Sequence, residues 1–245
     1  MKARMFLGAA ALAFALAGCN GGDANNVAGV VSNEALPQIA APNGGDWTQT
    51  IARTEEGGFL LGNPDAPVKL VEYGSYTCHV CAEFSEAATA PLRDTYIRSG
   101  QVSWEYRPYQ RNALDLAMTL LVECQPPSAA FATGEQIFSQ LETISGAIDA
   151  QEQAQLQSLP QDQTIEPLAR AADLQTFFAR RGIPAQRFSQ CLSNRAQIQR
   201  LTDLSNRASN EIPVTGTPTF LINGTKQEVT AWAALEPLIR NAIPQ

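Results

Sequence analysis

The sequence is short of the groups that would point to several common functions. It has one histidine, His79, and one Cys-x-x-C in 245 residues, so the second ligand pair of a structural zinc site is missing and no metal is expected. Basic residues are outnumbered, 17 Lys and Arg against 24 Asp and Glu, and aromatics make up 7%. An acidic, aromatic-poor surface argues against nucleic acid as a partner and against electrostatic adhesion to anionic lipid. Beyond the first twenty residues no apolar run is long enough to cross a bilayer, and no internal repeat is present. What is there is ordinary for a domain that buries a core: 44% hydrophobic residues, in a length that suits one large or two small domains.

The first residues carry a targeting pattern. Lys2 and Arg4 precede an apolar run from Phe6 to Leu16, which ends in Leu16-Ala17-Gly18-Cys19. This reads as a secretory signal over residues 1–18, not a membrane-spanning helix. Leu-Ala-Gly-Cys also resembles the bacterial lipobox, which implies cleavage before Cys19, lipidation of that cysteine and attachment to a membrane by acyl chains. The signal holds two of the basic residues and none of the acidic ones, so the remainder carries 15 against 24, a net charge of −9. Residues 19–46, rich in Gly, Asn, Ala and Pro without hydrophobic period, read as a flexible tether.

The chain is organised around Val68–Cys81. Val68, Leu70, Val71 and Tyr73 form a short apolar strand, Gly74-Ser75 breaks it, and Phe84, Ala87, Ala88 and Leu92 then recur at helical spacing. Cys78 therefore falls at a helix N-terminus, where free backbone N–H groups and the macrodipole favour negative charge and lower a thiol's pKa. Cys81, one turn on, is placed to close or resolve a disulfide. The pair reads as a redox-active dithiol that needs no other cofactor.

Gly62–Pro67 is a turn-rich approach, and Trp47–Phe59 is compatible with a short helix or an edge strand. Val102–Arg107 alternates as a second strand. From Asn112 to Asn210 the pattern is helical, over Asn112–Cys124, Phe131–Leu141, Glu166–Arg180, Pro184–Asn194 and Gln197–Asn210, with a polar Gln151–Gln163 between. Strand character returns at Thr219–Ile222, Asn223-Gly224 is a hairpin turn, Lys226–Val229 the return strand and Ala231–Asn241 a last helix. The order β-α-β, a helical block, β-β-α predicts an α/β fold: a first half over 47–111, a helical insertion over 112–210 and a second half over 211–245.

Four features together resemble the DsbA-like branch of the thioredoxin superfamily, across roughly Gly62–Ile243. They are Cys78-His79-Val80-Cys81 after a strand, Gly216-Thr217-Pro218-Thr219-Phe220 leading into a late strand, Glu72 six residues before the first cysteine, and the helical insertion. The resemblance implies a thioredoxin fold and disulfide exchange with cysteines of exported proteins in the periplasm or cell envelope, in the direction of oxidation, with a membrane redox partner; a reductase or isomerase, or a non-catalytic lipoprotein that binds polypeptide, are the alternative readings. It also implies a cis Pro218 that sets Thr217 beside the cysteines, and a buried Glu72 that handles the Cys81 proton. The sequence departs from the family at one place: histidine follows the first cysteine instead of preceding the second. As imidazolium, His79 would stabilise the Cys78 thiolate. The remaining cysteines, Cys124 and Cys191, lie on two predicted helices, and an exported chain favours their pairing as a structural disulfide over two buried thiols.

Overall fold

The computed structural model describes residues 35–244. The expected signal and Cys19, the expected site of lipidation, lie outside the described residues. A six-stranded mixed sheet in the order β1-β2-β4-β3-β5-β6 forms the centre, from β1 (Ile51–Arg53), β2 (Phe59–Gly62), β3 (Val68–Gly74), β4 (Val102–Pro108), β5 (Thr219–Ile222) and β6 (Thr225–Gln227). β3 is buried on both faces, only Lys69 being exposed, and this continuous burial is why its apolar run does not alternate. It pairs parallel with β4, Val68 opposite Val102, and antiparallel with β5, Leu70 opposite Ile222.

Between β3 and β4 runs α1 (His79–Pro91), continued by one wide turn over Leu92–Ile97. Pro91 has no N–H to give to the preceding turn, and the helical bonding resumes in a π pattern directly after it. The β5–β6 hairpin turns on Asn223 and Gly224, both at positive φ (50° and 82°), as a type I′ turn requires. Asn223 Oδ1 also accepts from Lys69 N at 2.8 Å, tying the hairpin to the far end of β3.

The insertion comprises α2 (Ala113–Glu123), α3 (Ala130–Ser139), α4 (Leu141–Gly146), α5 (Ala150–Gln157), α6 (Gln161–Ala171), α7 (Leu174–Ala179), α8 (Ala185–Leu192) and α9 (Arg195–Glu211); α10 (Trp232–Ala242) closes the fold. One apolar core runs through sheet and insertion alike, from Phe59, Leu70 and Phe84 to Leu120, Phe178 and Phe188. Cys124 and Cys191 are disulfide-bonded with Cα atoms 6.0 Å apart, joining the ends of α2 and α8.

Three expectations are corrected. The tether does not extend to residue 46: Ile39 N donates to Ser99 O at 2.8 Å, Gln101 Nε2 to Pro37 O at 3.1 Å and Trp47 Nε1 to Ile39 O at 2.8 Å, so this stretch is strapped to the domain. The helix expected over Glu166–Arg180 is broken where Asp173 takes φ 52°, between α6 and α7. The return strand is Thr225–Gln227, shorter and earlier than expected.

Candidate active site

Strand β3 delivers the chain to the site and α1 receives it. Cys78 is the N-cap of α1: its backbone is extended, and its sulfur accepts from Cys81 N at 3.3 Å, filling the place of a capping oxygen. The turn before it is held by side chains. Asp115, buried near the start of α2, accepts from Tyr76 N and from Arg111 N, each at 2.9 Å. Asn112 Nδ2 donates to Thr77 Oγ1 at 3.0 Å. The start of the insertion is thereby fastened to the cysteine turn, and Arg111 is brought close to it.

Thr217–Pro218 is a cis peptide. The loop sets Thr217 against the dithiol, and the Cys78 thiol donates to Thr217 O at 3.1 Å. Thr217 Oγ1 is buried with no hydrogen-bond partner among the described residues, a donor held in reserve for a thiolate.

The two sulfurs are free, buried and chemically unlike. Hydrogen bonding with Cys81 is the largest influence on Cys78; with the Thr217 side chain, the Cys81 N–H and the Arg111 charge it outweighs burial and holds Cys78 at about 5. Burial, then hydrogen bonding to Cys78 and the nearby Glu72, push Cys81 far above the ordinary thiol range. One thiol is thus an anion at neutral pH and the other keeps its proton. Below them Glu72 is fully enclosed; burial raises it to about 8, against the opposing effect of Trp104 Nε1, which donates to its Oε2 at 3.1 Å. At neutral pH it is mostly protonated, and it can trade that proton near pH 8.

Cys78, Cys81, Thr217, Pro218 and Glu72 therefore meet in one place. His79 does not join them in the way its position suggests. Its side chain is 61% exposed and its Nδ1 lies 3.0 Å from Glu142 Oε1 of α4. Cys78 owes its charge support to Arg111, a residue that sequence reading passes over. The signal that could have found the neighbourhood is Asn112-x-x-Asp115, a helix-start pattern in which Asn112 Oδ1 accepts from Asp115 N at 2.9 Å. Among the described residues no three His, Cys, Asp or Glu side chains cluster as a metal site would.

Comparison with known proteins agrees with this geometry. The thioredoxin family model matches residues 54–241. A solved structure described as a protein-disulfide isomerase, from Novosphingobium aromaticivorans, is 29% identical, with TM-score 0.72 over 76% of this chain and 97% of that one. Wolbachia pipientis alpha-DsbA1 shares the fold at 19% identity, with TM-score 0.63 over 78% of this chain and 92% of its own. Two curated relatives, provisionally named protein-disulfide oxidoreductases, come from Rickettsia felis and Rickettsia bellii. Each is 22% identical, over 71% and 79% of this chain. The chain spans 56% of the length of the first and 67% of the second. With its sheet order, cis-proline loop and dithiol at the head of α1, the chain belongs to the thioredoxin family and has the DsbA-like fold, a thioredoxin sheet carrying a helical insertion.

Proposed function

We propose that the protein is a thiol–disulfide oxidoreductase of the bacterial cell envelope, held to a membrane by lipid on Cys19, that passes disulfides to cysteines of exported proteins. The observation that carries this reading is the placement of the dithiol, with Cys78 capping α1 and accepting from Cys81 N beside the cis Thr217–Pro218 loop, a setting that lowers the Cys78 pKa and leaves the enclosed Cys81 protonated. A substrate thiolate attacks Cys78 Sγ of the Cys78–Cys81 disulfide; the S–S bond breaks and Cys81 leaves, taking a proton supplied through Glu72. A second substrate thiolate then attacks the substrate sulfur of the mixed disulfide and expels Cys78 as a thiolate. The substrate gains a disulfide, and two electrons rest on the dithiol until a membrane redox partner removes them. Because Cys78 is a good leaving group, the step that releases it is favoured, which poises the site as an oxidant. The dithiol is the only redox group this scheme requires.

Isomerase action is a second reading, favoured by the Novosphingobium structure, whose description is a protein-disulfide isomerase. The reduction potential against glutathione buffers separates them. A value near about −120 mV supports the oxidant, and one near about −180 mV the isomerase. A bond that glutathione cannot open would overturn both and leave a non-catalytic polypeptide binder. For the anchor, incorporation of labelled fatty acid that is lost in Cys19→Ala is the expected result.

A further inference from the structure

At the far end of α2 from the dithiol lies a cleft of about 420 Å3, bounded by the β1–β2 turn, α8 and the start of α9. Its lining carries Arg53, Arg187 and Arg200 and, among the described residues, a single carboxylate, Glu123. That carboxylate is the hub. Its side chain is 2% exposed, and its Oε2 accepts from Arg53 Nη1 at 2.9 Å, from Arg200 Nη2 at 2.5 Å and from Gln197 Nε2. Arg187 Nη2 donates to Cys124 O at 2.7 Å, at the C-terminus of α2. The arginines themselves stand further out: the side chains of Arg53 and Arg200 are 39% and 38% exposed, and Arg187 is exposed. Structural pairing does not use up their charge. Glu123 supplies one negative charge and the helix end about half of another, against three positive ones. The surplus lines the cleft, in a chain whose net charge is −7.

The cleft and the dithiol share one end of the sheet. Arg53 is paired with Phe59, Phe59 with Tyr106 and Tyr106 with Glu72. Arg53 therefore stands in the same cross-strand row as the carboxyl beneath the cysteines, three strands away, and three strand spacings are about 14 Å. Helix α2 gives the same measure: its start holds the cysteine turn through Asp115, and its 11 residues reach Glu123 about 16 Å on. An extended segment covers about 3.3 Å per residue, so a polypeptide bonded to Cys78 reaches the cleft roughly five residues from its cysteine. We infer that Arg53, Arg187 and Arg200 bind acidic side chains of substrate polypeptides at that distance from the exchanging cysteine. This rests on the exchange chemistry proposed above and adds a preference among its substrates. Guanidinium groups match carboxylates in a two-pronged geometry. An anionic membrane surface is the poorer fit, because it repels the acidic chain as a whole.

The test reacts the oxidised protein with two dithiol peptides of the same cysteine pair, one carrying Asp and Glu about five residues away, the other Asn and Gln. The acidic peptide is expected to show the lower KM at low salt, and high salt to remove the difference. Arg187→Gln lowers the acidic-over-neutral ratio of kcat/KM by up to about fivefold, the upper end for an exposed ion pair, and does so through KM. Arg93→Gln, just beyond α1 and outside the cleft, leaves the ratio in place. Equal reactivity of the two peptides overturns the inference, as does a preference that survives in Arg187→Gln or falls equally in Arg93→Gln. So does capture by vesicles of anionic phospholipid that Arg187→Gln abolishes while the peptides react alike. Titrating a cysteine-free acidic peptide into the unaltered protein needs neither a variant that folds nor exchange: movement of the cleft arginines' Nε–H resonances supports the inference, and their staying still overturns it. Exchange with neither peptide strikes the proposed reaction itself, and that titration then judges the cleft alone.

Discussion

Among the described residues there are two pairs of cysteines, and they are opposite in chemistry. Cys124 and Cys191 are 67 residues apart in sequence and joined between two helices of the insertion; Cys78 and Cys81 are one helical turn apart and unjoined. What separates the pairs is the distribution of donors. Cys78 receives the Cys81 N–H and the Arg111 charge, with the unpartnered Thr217 hydroxyl in reserve, while Cys81 sits over a carboxyl with little to offset its burial. Reactivity therefore comes from asymmetry within a pair: two equally buried thiols would both keep their protons.

The sharpest break of that comparison is Cys78→Ser. Disulfide exchange with a dithiol peptide falls below detection, while at pH 5 and below, where the thiolate adds little to stability, the melting temperature stays close to that of the reduced protein. Replacing both Cys124 and Cys191 by Ala does the converse. Opening that long loop costs about 4 kcal/mol on the chain-entropy model, read as a lower denaturant midpoint, with exchange retained below the transition. Next comes Glu72→Gln, which slows resolution by about 100-fold at the low end for a lost general base and leaves alkylation of Cys78 at its normal rate.

A pH series sharpens the contrast further. Cys78 titrates at about 5 in the folded reduced protein against 9.0 when unperturbed. Its contribution is lost as pH falls through 5 and is fully present above 9. The disulfide form has no such group. The stability of reduced over oxidised protein should therefore grow as pH rises from 5 to 9; Glu72, raised to about 8 chiefly by burial, is present in both forms and its effect largely cancels in the comparison. Paired melts of the two redox forms measure it. The smallest effect concerns which cation matters. Arg111→Gln raises the thiolate midpoint, by less than the roughly 1–3 units of a charge in direct contact; His79→Ala leaves it in place. Ultraviolet titration of the thiolate decides between them, and the opposite order would restore His79 to the role its sequence position suggests.

How these features can be read from sequence depends on how local their causes are. Strand β5 and its Asn223-Gly224 turn are set by neighbouring residues, and the expected Thr219–Ile222 is the observed one. The dithiol at the head of α1 is legible for the same reason. β1 and β2 are not: Phe59, Leu60 and Leu61 gain their definition by pairing with Tyr106, Glu105 and Trp104, across a gap no periodicity spans. Arg111 is close to Cys78 only because Asp115 ties two loops together. His79 misleads by adjacency, since successive residues entering a helix point roughly 100° apart, and its imidazole meets Glu142 instead of the sulfur.

The ends of the sheet have a colloidal consequence. Both outermost strands, β1 and β6, are three residues long. Arg53 on the first is tied to Glu123 at 2.9 Å, and the second carries Lys226. Short, charged edges offer a poor template for another chain's backbone. A protein proposed to meet unfinished chains, with their unpaired strands exposed, is thereby guarded against being drawn into their aggregates.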